Sequence, residues 1–375
     1  MLTPESRLTD FPSLGEMTYL NTAAESLPPL AVREAVNTYL DHKSLGMRGR
    51  DFFFAEYEKC QARAAGFLEK TPEEISFCSC ASEAYNLLAS ALDLQAADEV
   101  VITDLDFPSG ATPWLSTPGQ PAVRLWKNTA GVLDLDDLQP LLNENTKLVQ
   151  VSQVSFLTGY RIDWEPFRNL VRSLAPNAVL SVDVTQCFGR VVLDCLDADI
   201  IISSTYKWLL GIHGGCVVAV SQASAERLTT RVGGWYHLAN AFDDDRFSRV
   251  EPIAGAASYA VGMPNFAAIY ALNASLNYLG TVGIAEIAQH ADAVVAMLHA
   301  GLKELGIATM SPPQPGNASG IVSFQHTRDA EIHAALLAEN IHVMRQAGRL
   351  RIAIHGYNQR EDIERLLGVL RTVLS

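Results

Sequence analysis

Short apolar runs alternating with amphipathic stretches predict an α/β protein, its large domain a mostly parallel sheet covered by helices. The composition of those runs and a change of pattern in the last third complete the prediction. Several of the runs are rich in Val and Ile, as suits strands buried on both faces. The last third turns to two strands interleaved with two amphipathic helices, a small C-terminal α+β domain. With 375 residues, 48% apolar and 19% charged, the chain can bury a sizeable core and hold more than one domain.

The elements follow in order. Segments 28–43 and 53–68 carry apolar residues at helical spacing and read as amphipathic helices. Runs at 99–103, 122–126, 147–152, 179–182, 199–203 and 216–220 read as buried strands. Helical patterns at 83–92, 134–142 and 164–173 lie between them, the βα alternation of a parallel sheet. Residues 233–262 read as irregular. Pro264 then opens a helix over 265–279, and another covers 284–305. After the turn signal Pro312-Pro313-Gln314-Pro315-Gly316, the strands 320–325 and 350–354 alternate with helices 329–339 and 361–373. The expected division is an N-terminal segment 1–17, a large domain 18–262, and residues 263–375 as long helices with the small α+β domain.

A net charge of −14 with no long basic stretch argues against nucleic acid and anionic membranes as partners. No run of about 18 apolar residues predicts a membrane span, and no basic, then apolar leader opens the sequence. The six cysteines, Cys60, Cys78, Cys80, Cys187, Cys195 and Cys216, form no zinc-ligand spacing. They read as reduced thiols of a cytoplasmic protein, and no metal site is expected.

Chemistry concentrates at two strand ends. Ile200-Ile201-Ile202-Ser203-Ser204-Thr205-Tyr206-Lys207 sets a lysine beside an apolar strand, and Val179-Leu180-Ser181-Val182-Asp183 ends another strand in a carboxylate. Singly, these read as a solvated strand end and a helix N-cap. Jointly, they suggest a pyridoxal phosphate site. Desolvation favours a neutral, nucleophilic amine, and a carboxylate can pair with a pyridinium nitrogen. Ligands of parallel sheets bind at the carboxyl ends of the strands, where both residues fall. A third strand end, Phe77-Cys78-Ser79-Cys80-Ala81-Ser82-Glu83, runs into a helix with Ser82 as the expected N-cap, and free amides at a helix start bind phosphate. After 99–103 comes Phe107, placed to stack on a flat ring or to fill the core.

Tyr19-Leu20-Asn21-Thr22-Ala23-Ala24, then Ser79 to Asn86, Asp183-Val184-Thr185-Gln186, Ser204-Thr205-Tyr206-Lys207 and Arg351-Ile352-Ala353-Ile354-His355-Gly356-Tyr357-Asn358 occur in this order. The set resembles the class V aminotransferases of pyridoxal phosphate (PLP) fold type I, a family that includes cysteine desulfurases, kynureninase and isopenicillin N epimerase-like proteins. The resemblance implies that Lys207 forms the Schiff base and Asp183 pairs with the pyridinium nitrogen. It implies that Gln186 bonds the phenolic oxygen and that Ala81, Ser82, Ser204 and Tyr206 hold the phosphate. Phe107 would cover the ring, Trp235 would complete the cofactor site, and Arg351 with Asn21 would bind the substrate. A homodimer is implied as well.

Departures from the family pattern narrow the expectation. Phe107 and Tyr206 stand where many desulfurases have histidine, and Gly234-Trp235-Tyr236 also leans toward the kynureninase and epimerase-like branch. Phe156 replaces an asparagine. Met263 replaces a threonine that reaches the neighbouring subunit's phosphate. No cysteine follows Cys216, so the thiol that forms a persulfide in desulfurases is missing ahead of Arg351. The expected activity is at the α-carbon of a small amino acid, epimerase-like or aminotransferase. The alternatives are a β-lyase, a kynureninase-like hydrolase, or an inert binding protein of the same fold.

Overall fold

In the computed structural model, which describes residues 4–116 and 121–375, seven strands form one sheet that carries the strand ends singled out above. The first three residues of the expected segment 1–17 lie outside the described residues. The chain opens with α1 (Pro4–Asp10), β1 (Thr18–Tyr19), α2 (Leu30–Ser44) and α3 (Arg50–Leu68). The sheet region follows: β2 (Ile75–Cys78), α4 (Ala81–Leu92), β3 (Glu99–Thr103), α5 (Pro108–Ala111), β4 (Ala122–Trp126), α6 (Leu135–Leu138), β5 (Thr146–Ser152), α7 (Trp164–Leu174), β6 (Val179–Asp183), β7 (Ile200–Ser204) and β8 (Cys216–Val220). Helices α8 (Phe266–Val282) and α9 (Ile284–Glu304) lead to β9 (Ile321–Gln325), α10 (Asp329–Ala338), β10 (Ile341–His342), β11 (Met344–Gln346), β12 (Arg349–Ala353) and α11 (Arg360–Leu374).

The sheet order is β2-β8-β7-β6-β5-β3-β4. Pairs among β3 to β7 are parallel, and β8 runs antiparallel to both neighbours. The reason lies in the connection: residues 205–215 hold no helix, and a parallel return needs a longer crossover. Because β8 reverses and β2 reverses again, β2 points the same way as β7. The carboxyl ends of β2, β3, β5, β6 and β7 therefore share one edge of the sheet. Strands β3, β6, β7 and β8 are buried along their whole length, as their mostly apolar runs require.

Three local expectations change. Strand β4, expected to be buried, is an edge strand of the sheet, and only its last residue, Trp126, is buried. Helix α4 begins at Ala81 with extended Cys80 as its N-cap, so Ser82 lies inside the first turn and does not cap it. Glu83 reaches back to accept from the backbone N–H and hydroxyl of Ser79 (2.6 and 2.5 Å), which fixes the turn ahead of the expected position. The stretch 134–142 does not continue as one helix. Pro140 lacks an amide donor, and a short 3₁₀ turn, Gln139–Leu141, replaces the last part. Residues 233–262 are irregular, as expected, apart from a 3₁₀ turn at Gly255–Tyr259 that buries Tyr259.

One hydrophobic core packs α4, with Ala81 and Tyr85, on one face of the sheet, and two more meet beneath the site. The larger packs the sheet against α3, α7 and the inner face of α8; the second joins α9, α10 and α11 to β9 and β12, with Leu20 inserted from the N-terminal arm. The chain start is tied there by parallel pairing of β1 with β10 and a bridge from Asn21 to Ala353. Trp208, the residue after Lys207, is fully buried where the two meet. Its carbonyl accepts a hydrogen bond from His355 Nε2 (3.0 Å), whose ring stacks on the indole. Gly320 lies against the same indole. A Cβ at Gly320 would run into the Trp208 ring and the Ile354 carbonyl oxygen. Gly320→Ala should therefore destabilise the fold by about 1–3 kcal/mol, as overpacking does. Chemical denaturation would measure it, and an unchanged midpoint would show that the indole has room to move.

Candidate active site

The cleft at the shared edge is lined by Cys80, Ala81, Ser82, Phe107, Ser109, Ser152, Phe156, Asp183, Thr185, Gln186, Ser204, Tyr206 and Lys207. Each comes from the carboxyl end of a strand or from the turn that follows. A roomier cavity of about 430 Å³ opens between α9 and the 312–316 loop. Its walls are mainly aliphatic and proline side chains, and none of the candidate residues reaches it.

Lys207 is 7% exposed. Its Nζ makes no hydrogen bond or ion pair with the described residues, and lies 5.2 Å from the Phe107 ring centre and 5.5 Å from that of Tyr206. Burial draws its pKa down from the ordinary 10.5 to about 8; Asp183 and Glu25 oppose the shift, and Arg351 adds to it. Asp183 is buried one strand away. Its Oδ1 accepts from the Thr185 amide (2.7 Å) and its Oδ2 from the Tyr85 hydroxyl (3.0 Å). Burial pushes the Tyr85 phenol well above its usual range, so it remains a donor. Each carboxyl oxygen keeps a further lone pair for a donor in the cleft.

Around this pair the other candidates take distinct positions. Ala81 and Ser82 occupy the first turn of α4, where Cys80 offers no side-chain cap to the free amides. Ser204 and Tyr206 face them across the cleft, and the Tyr206 ring stacks on His213. Gln186 is held at both ends, accepting from Trp208 Nε1 (2.8 Å) and donating to the Ala23 carbonyl (3.1 Å). Phe107 is partly exposed over the cleft and meets Phe156 edge to face. Trp235 does not join them. It lies outside the cleft, half-exposed on the irregular segment, with its ring against Tyr236 and Phe242. Asn21 lies beside β12 with its Oδ1 buried and unpartnered.

Of the three arginines near residue 350, Arg345 is exposed and paired with Asp329 (2.6 Å). Arg351 is 3% exposed. It donates from Nη1 to the Phe156 carbonyl (2.9 Å), while its Nε and Nη2 find no partner. Burial and the neighbouring Arg349 lower its pKa to about 10. Sequence reasoning missed Tyr85 and Thr185, the two donors to Asp183. Tyr85 could have been found, because it lies one helical turn beyond Ala81 and so faces the same edge.

A class-V aminotransferase family model matches residues 18–366, and the chain belongs to that family. It is similar to an uncharacterized aminotransferase, YcbU, of Bacillus subtilis, 26% identical over 364 residues that cover 96% of this chain and 95% of that protein. It is also similar to a probable cysteine desulfurase of Methanothermobacter thermautotrophicus, 27% identical over 390 residues covering 96% and 95%. Among solved structures, the apo cysteine desulfurase of Thermococcus onnurineus superposes with a TM-score of 0.90 at 25% identity, over 100% of this chain and 98% of that one. The fold is thus PLP fold type I, and the chain is an enzyme of a family that works with pyridoxal phosphate.

The residues present fit that group. An unpartnered buried amine suits its aldehyde, a carboxyl with spare lone pairs its ring nitrogen, an uncapped helix start its phosphate, and an open aromatic face its ring. The neutral amine is the form that attacks an aldehyde. Uptake of pyridoxal phosphate by cofactor-stripped protein should therefore accelerate as pH rises through about 8, where Lys207 loses its proton. Borohydride reduction should then fix the cofactor to Lys207 and leave Lys207→Ala unlabelled. A midpoint near the ordinary lysine value, or label on another lysine, would place the reactive amine elsewhere.

Proposed function

We propose that this enzyme is a β-lyase, breaking the bond between the β-carbon of a small amino acid and its substituent. The observation that carries the reading is the Lys207 amine, buried, unpartnered and near pKa 8, beside the Asp183 carboxyl. Relatives named cysteine desulfurase favour β-carbon cleavage over the epimerase-like alternative.

Pyridoxal phosphate, when bound, supplies a ring that accepts the electron pair left on an amino acid's α-carbon. The chain's residues do the rest. Lys207 takes the α-proton, its lowered pKa suiting a base that works near neutrality. Asp183, oriented by Thr185 and Tyr85, holds a proton on the ring nitrogen. The α4 amides at Ala81 and Ser82, with Ser204 and Tyr206, hold the phosphate. Phe107 would cover the ring, and Gln186 would border it. Arg351 takes the substrate α-carboxylate through its free Nε and Nη2, a planar fork matched to two oxygens, with Asn21 alongside. Overall, amino acid and water give a keto acid, ammonia and the protonated β-substituent. Trp235 has no part in the cleft of its own chain.

A sulfur-carrying cysteine is not part of this reading. β11 and β12 are joined by Ala347 and Gly348 alone, both with positive φ, the signature of a tight hairpin turn. There is no loop ahead of Arg351 to carry a thiol. Five cysteines are buried and only Cys80 is exposed. A panel of β-substituted amino acids, followed by mass spectrometry, should yield keto acid and ammonia, and Cys80→Ser should turn over the same substrate at a similar rate. Accumulation of the mirror-image amino acid without keto acid would favour the epimerase-like alternative, and loss of turnover in Cys80→Ser would restore thiol chemistry.

The segment 233–262 also supports association with a second copy. Phe242, Phe247, Val250 and Ile253 are exposed there, more apolar surface than one irregular stretch ordinarily shows to water. Light scattering should give a homodimer. An active, cofactor-loaded monomer would refute this.

A further inference from the structure

We propose that Arg349 reads a second acidic group on the substrate, so that the amino acid acted on is one whose β-substituent, joined through a heteroatom that can leave, ends in a carboxylate. The inference rests on the reading of Arg351 as the α-carboxylate ligand.

Arg349 and Arg351 are two apart on β12, so their side chains leave the same face of the strand. They are 4% and 3% exposed. Neither forms an ion pair with the described residues. Arg349 Nε, Arg351 Nε and Arg351 Nη2 are buried without a hydrogen-bond partner. What Arg349 does have is a long bond from Nη2 to Gln346 Oε1 (3.3 Å) and the face of the Phe156 ring, 5.6 Å from its centre.

This is not how the chain treats its other buried arginines. Arg190 is paired with Asp292 (2.7 Å), and Arg161 with Asp194 (3.1 Å). Even exposed Arg345 on the same hairpin has Asp329. An uncompensated buried charge is strongly unfavourable, and two side by side add mutual repulsion. One monoanion would satisfy one guanidinium and leave the other bare. A ligand with two carboxylates satisfies both.

The placement suits such a ligand. Arg351 holds the Phe156 carbonyl, Arg349 covers the Phe156 ring, Phe156 meets Phe107 at 5.0 Å, and Phe107 lies 5.2 Å from the Lys207 amine. Both arginines thus pack against Phe156, a residue of the cleft lining, one layer back from the cleft itself. Residues two apart on a strand are about 6.5–7 Å apart along it. The carboxyl carbons of a five-carbon diacid are about 5 Å apart by their bond lengths, which two long side chains can span by converging.

The test uses the cofactor-loaded enzyme and two acids that lack an amino group and cannot react. These are glutarate and its monoamide, alike in size and differing by one charge. Calorimetry should show glutarate bound about tenfold to a hundredfold more tightly than the monoamide, the range expected for hydrogen bonds to a charged group. Arg349→Met should bring glutarate down to the affinity of the monoamide and leave the monoamide unchanged. Arg349→Lys should keep part of the preference. Equal binding of the two acids to the unmodified enzyme would overturn the proposal without recourse to any variant. So would a preference that survives Arg349→Met, which would reduce Arg349 to a cover for Phe156. Arg351→Met is the control for the underlying reading and should weaken both acids. If it weakens neither, the carboxylate reading of Arg351 fails, a result distinct from a failure at Arg349. The β-lyase assignment is judged separately, by the keto acid released.

Discussion

Keeping a lysine amine out of water costs several kcal/mol if it stays charged, and Lys207 is where this chain accepts that cost. Much of the site can be understood as the means of holding that amine unpaired. The apolar run of β7 carries the backbone to the sheet edge. The rings of Phe107 and Tyr206 shield Nζ without offering it an acceptor. Asp183 is near enough to oppose the loss of charge, yet both its oxygens are already engaged by Thr185 and Tyr85. A carboxyl free to swing would pair with the lysine and abolish its reactivity. The hydroxyl of Tyr85 and the amide of Thr185 keep the two groups as neighbours.

The second half of the site comes from a different core. β12 belongs to the C-terminal unit, whereas the turn at 155–160 belongs to the sheet, and Phe156 is one of the residues on which they meet. On the reading proposed above, cofactor-facing groups sit on the sheet edge and substrate-facing groups on the smaller unit.

Much of this was legible in the sequence. Most strands of the sheet were visible because burial on both faces demands mostly apolar runs, whereas β4 was expected to be buried and is an exposed edge strand. Lys207, Asp183 and Arg351 were visible because charge beside such runs is conspicuous. What was not legible had physical causes. Strands β1, β10 and β11 are two or three residues long, too short to show a period. The reversal of β8 depends on the length of a connection rather than on the strand itself. Ser82 looked like a cap because serine favours that position, but Glu83 and Ser79 settled the turn first. Trp235 was assigned by resemblance, and its own chain packs it elsewhere. Arg349, two residues before Arg351, is in the sequence one more charge beside an apolar run. Its burial, and the absence of a carboxylate beside it, could only be seen once the strands were folded together.

The contact between Trp208 and the C-terminal unit bears on how the enzyme could be remodelled. His355 is buried and its pKa falls to about 3, so it remains a neutral donor to the Trp208 carbonyl at any pH the fold would ordinarily meet. The indole is trapped between that ring and Gly320. A designer wishing to change substrate preference might exchange the C-terminal unit for that of a relative, treating it as an interchangeable cassette. Here the cassette would carry with it the seat of the residue next to the reactive lysine. A graft that brought new arginines but a bulkier residue at 320 would shift the amine along with the substrate pocket. The practical unit of exchange is therefore strand β12 alone, with Gly320 and His355 left in place.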